Sequence, residues 1–347
     1  MLDCLAIGSL PYTKTEDAIH LVETYFKEIP FWPQLAKVNK NEDMTIQFLE
    51  GMPSFFESED FRFDTENDEF YEALEQFFVD YEEIISGNEE LLEKYAINYS
   101  SAFKPFIELI KRNGSNYGKG QIVGPFTLGT TLTDKKGRCT IYDETLREII
   151  VKTLTLKALW QIKQIKSAGA KPIIFIDEPS ISQLGTSAYL TISQNDVVNM
   201  LKEISDAIQK AGGLSAIHCC GKCDWSVPIE TGINMVSLDA YNYAENLSVF
   251  YKKVKSFLER DGKIVWGVVP TLDKDSLKKA DLEILLNKFD EAVNYLTKRG
   301  INEKLIITNS LISPSCGAGS LSVELTEKAM RLTREISDSL KERYNGI

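Results

Sequence analysis

Short apolar runs rich in β-branched residues, separated by longer stretches of helical period, constrain the fold of this chain more than any other feature. Eight such runs lie near residues 4–7, 35–38, 121–123, 173–176, 214–217, 235–238, 264–268 and 305–308. Between them, 146–168, 194–211, 244–259 and 282–299 repeat their apolar residues at helical spacing, and Gly300 supplies a stop for the last. Strands that alternate with helices pair in parallel through right-handed crossovers. Eight of them predict an α/β fold of the (β/α)8 TIM barrel type, and 347 residues suffice for one such barrel with insertions. An open doubly wound sheet is the alternative. Against it, no Gly-rich dinucleotide fingerprint follows the first run, and no Walker-type phosphate loop occurs. The expected organisation is a single barrel domain over 1–347 carrying a helical insertion at 50–118.

Charge narrows the partners. A formal net charge of -12 argues against nucleic acid or an anionic membrane as the main partner. The acidic surplus concentrates at 57–93, where Asp and Glu interleave with Phe and Tyr. That pattern predicts a solvated helical insertion with its aromatic residues turned inward, a docking surface for a basic partner being the alternative. No apolar run reaches the ~18 residues a membrane span requires, and no signal-peptide pattern opens the sequence. A cytoplasmic protein with reduced thiols is expected.

The chemistry concentrates in two loops, His218-Cys219-Cys220-Gly221 and, far downstream, Ser313-Pro314-Ser315-Cys316-Gly317. At the end of a strand, residues with one residue between them point the same way, so His218 and Cys220 can share a metal, with Cys316 as a third ligand. Small cysteines also serve as inert core residues. Yet the chain has only 2 His and 6 Cys, and one His lies within five residues of Cys219, Cys220 and Cys223. Cys219 should face the opposite side and pack, Cys223 is left open as a spare ligand or resolving thiol, and Cys4 and Cys139 have no partner motif. Zinc held by one nitrogen and two sulfurs keeps a position at which a thiol loses its proton near neutral pH.

Other polar interruptions fall at the C-terminal ends of the predicted strands, where a barrel assembles its site. They are Ile7-Gly8-Ser9-Leu10-Pro11, Gly124-Pro125-Phe126-Thr127, Asp177-Glu178-Pro179, Asp239 and Asn309. The alternative for the Gly and Pro residues is a turn, and for Asp177 a helix cap. Neighbouring acids in extended chain point apart, so at most one of Asp177 and Glu178 faces the pocket. Asp239 closes an apolar run, where a carboxylate needs a metal or cation to offset its desolvation.

Taken in order, Ile7-Gly8-Ser9, Gly124-Pro125-Phe126-Thr127, Ile176-Asp177-Glu178-Pro179, His218-x-Cys220 and Cys316-Gly317 resemble the catalytic half of cobalamin-independent methionine synthase. More broadly they resemble the uroporphyrinogen decarboxylase-like superfamily, which includes corrinoid-linked methyltransferases. The resemblance spans nearly the whole chain. It implies zinc ligation by His218, Cys220 and Cys316, with Asp239 where those enzymes place a glutamate ligand. It further implies that backbone groups of Ile7, Gly8 and Ser9 hold an amino-acid carboxylate and that Asp177 binds its ammonium. Three departures stand out: no second barrel precedes this one, as in short core-only members; Val38 stands where an amino-acid-binding glutamate is expected; and Asp239 is one methylene shorter than glutamate.

The resulting expectation is a zinc-dependent methyltransferase that activates a small-molecule thiol, homocysteine or a related one. The methyl group would come from a methyl-folate or a methyl-corrinoid, the latter carried by a corrinoid protein. Trp225 and Trp266, near strand ends, either stack on a flat donor or pack in the core. The alternatives are a metal-free uroporphyrinogen decarboxylase-like enzyme and a non-catalytic corrinoid- or thiol-binding protein.

Overall fold

The computed structural model describes residues 2–53, 62, 63, 65 and 68–346. Its centre is a curled, wholly parallel sheet of six strands. They are β1 (Tyr117–Val123), β2 (Lys171–Asp177), β3 (Leu214–Cys219), β4 (Met235–Leu238), β5 (Lys263–Val269) and β6 (Ser310–Pro314), in that spatial order. β2 and β5 read as short runs rich in β-branched residues, the others as short mixed runs, and each crossover carries helix, so parallel pairing follows. The register sets Val123 against Asp177, Asp177 against His218, and His218 against Ser237. Partnered residues of a parallel sheet face one way. Asp177, His218 and Ser237 therefore form a row at the C-terminal edge.

Below that row, Ile173, Phe175, Ala216, Met235, Val265 and Leu311 fill the same face with a separate apolar cluster. Leu5, Ile7 and Ile29 join them. The alternate residues of the strands, Ile174, Ile176, Ile217, Val236 and Ile264 among them, belong to the larger core beneath the helices. The longest of these helices is Glu144–Ser167, which begins with its Asp143 side chain accepting from Leu146 N.

The first two predicted strands differ from expectation. Residues 2–5 lie along β6, with Leu2 N donating to Ser310 O at 2.8 Å and Leu5 N to Ile312 O at 3.0 Å. Next, Gln34 N donates to Gly8 O at 2.8 Å, and Trp32 N reaches Lys119 O of β1 at 2.9 Å. Extended chain thus runs between the two sheet edges, but it pairs through the single bridges Cys4↔Ile312, Ser9↔Gln34 and Phe31↔Lys119 rather than as regular strands. The second run was expected at 35–38; the pairing residues are 31 and 34, and Val38 is an exposed turn residue. The eighth is also displaced. Residues 305–308 belong to helix Glu303–Thr308, because Asn302 caps it by accepting from Leu305 N, and the strand begins only at Ser310. A short apolar run does not by itself distinguish buried helix from strand.

Within the predicted insertion, helix Asp68–Ile85 buries Phe70, Phe77 and Tyr81 while its acidic residues Glu69, Glu72 and Glu75 stay outside. Lys152 lies 4.5 Å from the Tyr81 ring centroid. Helix Phe103–Asn113 follows, with Phe103 4.6 Å from Trp160. Residues 54–61, 64, 66 and 67 of the acidic run lie outside the described residues. Among the described residues no helix is long and apolar enough to cross a membrane.

Candidate metal centre

His218 is the fifth residue of β3 and Cys220 follows two later, so both project on the same side of the chain. The loop beyond β6 brings Cys316 to them. The imidazole nitrogen and the two sulfurs all lie within 4.8 Å of one another. His218 is buried, and both thiols are half-buried. His218 Nδ1 sits 3.0 Å from Ser237 Oγ. Its Nε2 is buried with no hydrogen-bond partner. A buried nitrogen left bare beside two thiols is what a soft divalent cation would satisfy, so the donor set fits a thiophilic metal.

The electrostatics favour a thiolate. The Cys316 thiol beside it, aided by His218, pulls Cys220 down to about 4 against the opposing effect of burial. That thiolate in turn keeps Cys316 protonated, and burial pushes the same way. Burial opposes charging of His218, but the adjacent Cys220 and the Asp177 carboxylate outweigh it and raise the imidazole.

The Cys316 loop is held from two directions. Thr271 Oγ1 accepts from Cys316 N at 3.0 Å and donates to Cys316 O at 2.8 Å, while Thr271 N donates to Ser315 Oγ at 3.1 Å. From the other side, Ala318 N donates to Ser9 O at 2.9 Å. Gly317 packs on Ser9 so closely that a Cβ there would overlap the Ser9 hydroxyl. The Ile7-Gly8-Ser9 turn therefore borders the Cys316 loop. At Gly8 a Cβ would stand 2.7 Å from Gln121 Nε2, so the turn and β1 meet only because the residue is glycine.

Asp177 faces this space. It is buried beside His218, and its Oδ1 has no partner. Burial raises its pKa, while Lys119 and His218 act in the opposite direction. Lys119 is itself fully buried, donating to Gln121 Oε1 at 2.9 Å and lying 4.6 Å from the Phe175 ring centroid. Glu178 turns to the other side, as expected of adjacent residues in extended chain. It accepts from Phe126 N at 3.1 Å, from Thr127 N at 2.5 Å and from the Thr127 hydroxyl, and so caps helix Pro125–Thr131.

Asp239 is buried at the end of β4, but its oxygens accept from Asn242 N at 3.0 Å and Asn242 Nδ2 at 2.8 Å. It is the N-cap of helix Ala240–Val249 and stands outside the three-residue group. Burial raises its pKa. Cys219 and Cys223 are buried away from the group, as are Trp225 and Trp266, the latter donating to Ser310 Oγ at 2.8 Å. Both tryptophans pack in the core.

Sequence reading missed Ser237, Thr271 and Lys119. Ser237 shares the inward face of β4 with Asp239 two residues on, but its pairing with His218 comes from the register, and nothing in the pattern marks the other two. No protein-family model matches the chain, and no curated protein matches it.

Proposed function

We propose that this chain is a zinc-dependent S-methyltransferase of the methionine synthase-like kind, acting on a small thiol. The observation that carries the reading is the buried, unpartnered Nε2 of His218 facing the two thiols of Cys220 and Cys316. These residues would hold zinc and leave a coordination position open. When bound, zinc lowers the pKa of a thiol ligand so that it can attack as the thiolate near neutral pH.

The chain's own residues then bind and orient the acceptor. Asp177, with a free carboxylate oxygen, suits an ammonium on the acceptor, and the backbone around Ile7, Gly8 and Ser9, beside the Cys316 loop, suits its carboxylate. Sulfur forms its bond to the methyl carbon as the bond from that carbon to nitrogen or cobalt breaks, and the leaving atom keeps the electron pair. Donors of both kinds fit this chemistry, methyl-folate or a methyl-corrinoid presented by a corrinoid protein. Alignment of the three atoms is the protein's main contribution. Since Asn242 occupies Asp239, we assign Asp239 to the helix cap and the open position to the thiol. We further read residues 2–10 and 30–34 as the two segments that complete a (β/α)8 barrel, supported by their hydrogen bonds to both sheet edges. The six free cysteines suit a reducing, cytoplasmic setting.

The test is elemental analysis of protein purified under reducing conditions. Wild type should carry about one zinc per chain, and Cys220→Ser and Cys316→Ser should each lose it. Zinc-loaded protein should then methylate homocysteine or a related thiol from methylcobalamin or a methyl-folate. Wild-type protein that is metal-free and cannot be loaded would sink the reading.

A further inference from the structure

We infer that Ser237 and Thr271 are positioning residues that shape the metal centre before any metal arrives, Ser237 by orienting the His218 ring and Thr271 by clamping Cys316. This rests on the metal-centre reading above and extends it to two residues that touch no metal.

Ser237 is the register partner of His218 on the neighbouring strand and is fully buried. Its Oγ lies 3.0 Å from Nδ1. A neutral imidazole has one N–H and one bare nitrogen. With the proton on Nδ1, it donates to Ser237 Oγ, and Nε2 presents its lone pair to the two thiols. The other tautomer would turn an N–H toward the two thiols and withdraw the lone pair that a metal needs. The serine hydroxyl, able to accept from Nδ1, is thus suited to the metal-binding tautomer and fixes the ring rotation.

Thr271 does the equivalent for sulfur. Its hydroxyl both accepts from Cys316 N and donates to Cys316 O. Two bonds to the same residue hold the peptide planes on either side of its Cα, and hence the direction of its Cα–Cβ bond. The Ser315 hydroxyl, accepting from Thr271 N, joins the same arrangement. Without these bonds, part of the ordering of His218 and Cys316 would have to accompany metal capture and weaken it.

The experiment compares near-isosteric pairs, Ser237→Thr with Ser237→Val and Thr271→Ser with Thr271→Val, by competition for zinc against a chromophoric chelator. The hydroxyl-free variants should bind zinc about 10–100-fold more weakly than wild type, and the hydroxyl-bearing ones should stay within a few-fold of it. Cobalt-loaded protein gives a second readout. Ser237→Val should keep the thiolate-to-cobalt charge-transfer band while shifting the ligand-field bands, whereas Thr271→Val should weaken the charge-transfer band itself. Valine and hydroxyl-bearing variants that bind zinc equally at each position would overturn the inference while leaving the metal centre standing. If wild type takes up no zinc at all, the metal-centre reading fails and this one falls with it.

Discussion

Gly124 and Glu178 display how much one atom decides at this edge of the sheet. A Cβ at position 124 would overlap the Glu178 carboxylate, which is buried and satisfies three donors at the start of helix Pro125–Thr131. Burial lifts this carboxyl to about 7, with the bonds from Thr127 and Phe126 pulling it back. Gly124→Ala should therefore push the cap aside and strand the Phe126 and Thr127 amides, a loss of ~1–3 kcal/mol that urea denaturation would register. A midpoint unchanged from wild type would mean that Glu178 has room to move. Asp177, one residue earlier, has the opposite situation: its Oδ1 is buried without a hydrogen-bond partner. Two adjacent carboxylates have thus been given a hydrogen-bonded and an unpartnered environment by the alternation of extended chain.

Elements decide which side chains can meet. The middle strands were legible as apolar runs with polar ends, and the His218 and Cys220 part of the cluster was legible because histidine is rare and residues two apart on a strand share a face. Positions set by pairing were not legible. Ser237 meets His218 through the register of β3 and β4, and Thr271 meets Cys316 through the path of two loops; hydropathy specifies neither. The same limit applies to 30–34, where Gln34 and Pro30 interrupt the apolar pattern yet the backbone still pairs. Asp239 is the instructive case, because a buried carboxylate near a metal site and a helix cap have the same sequence signature. Asp239→Asn should keep both the cap and the zinc, whereas Asp239→Ala should lower stability by ~0.5–2 kcal/mol through the uncapped helix. Zinc loss in the asparagine variant would restore Asp239 as a ligand.

At the scale of the whole molecule, a buried lysine outside the His218 group sets a pH response. Burial pulls Lys157 down from 10.5 to about 8, partly countered by Glu50, although its ammonium donates to Ala96 O at 3.0 Å. Between about 8 and 10.5 the unfolded chain then holds more protons at this group than the folded one, so its contribution to stability rises with pH through that window and is absent below it. Lys157→Met should remove that rise: between pH 8 and 9.5 the slope of unfolding free energy in urea should fall relative to wild type by up to ~1.4 kcal/mol per pH unit. Equal slopes would mean that the lysine stays hydrated. The contacts between distant parts of the sequence have a different consequence. Leu2 and Asp3 are bound by Ser337 and Lys341, and Ser9 by Ala318, so the earliest residues find their partners among the last. On the ribosome, roughly a hundred residues separate the emergence of Cys220 from that of Cys316, some 5–20 s at ~5–20 residues per second. Through that interval the nascent chain would present His218 and Cys220 without their third donor, so the proposed metal capture would fall among the last events of its maturation.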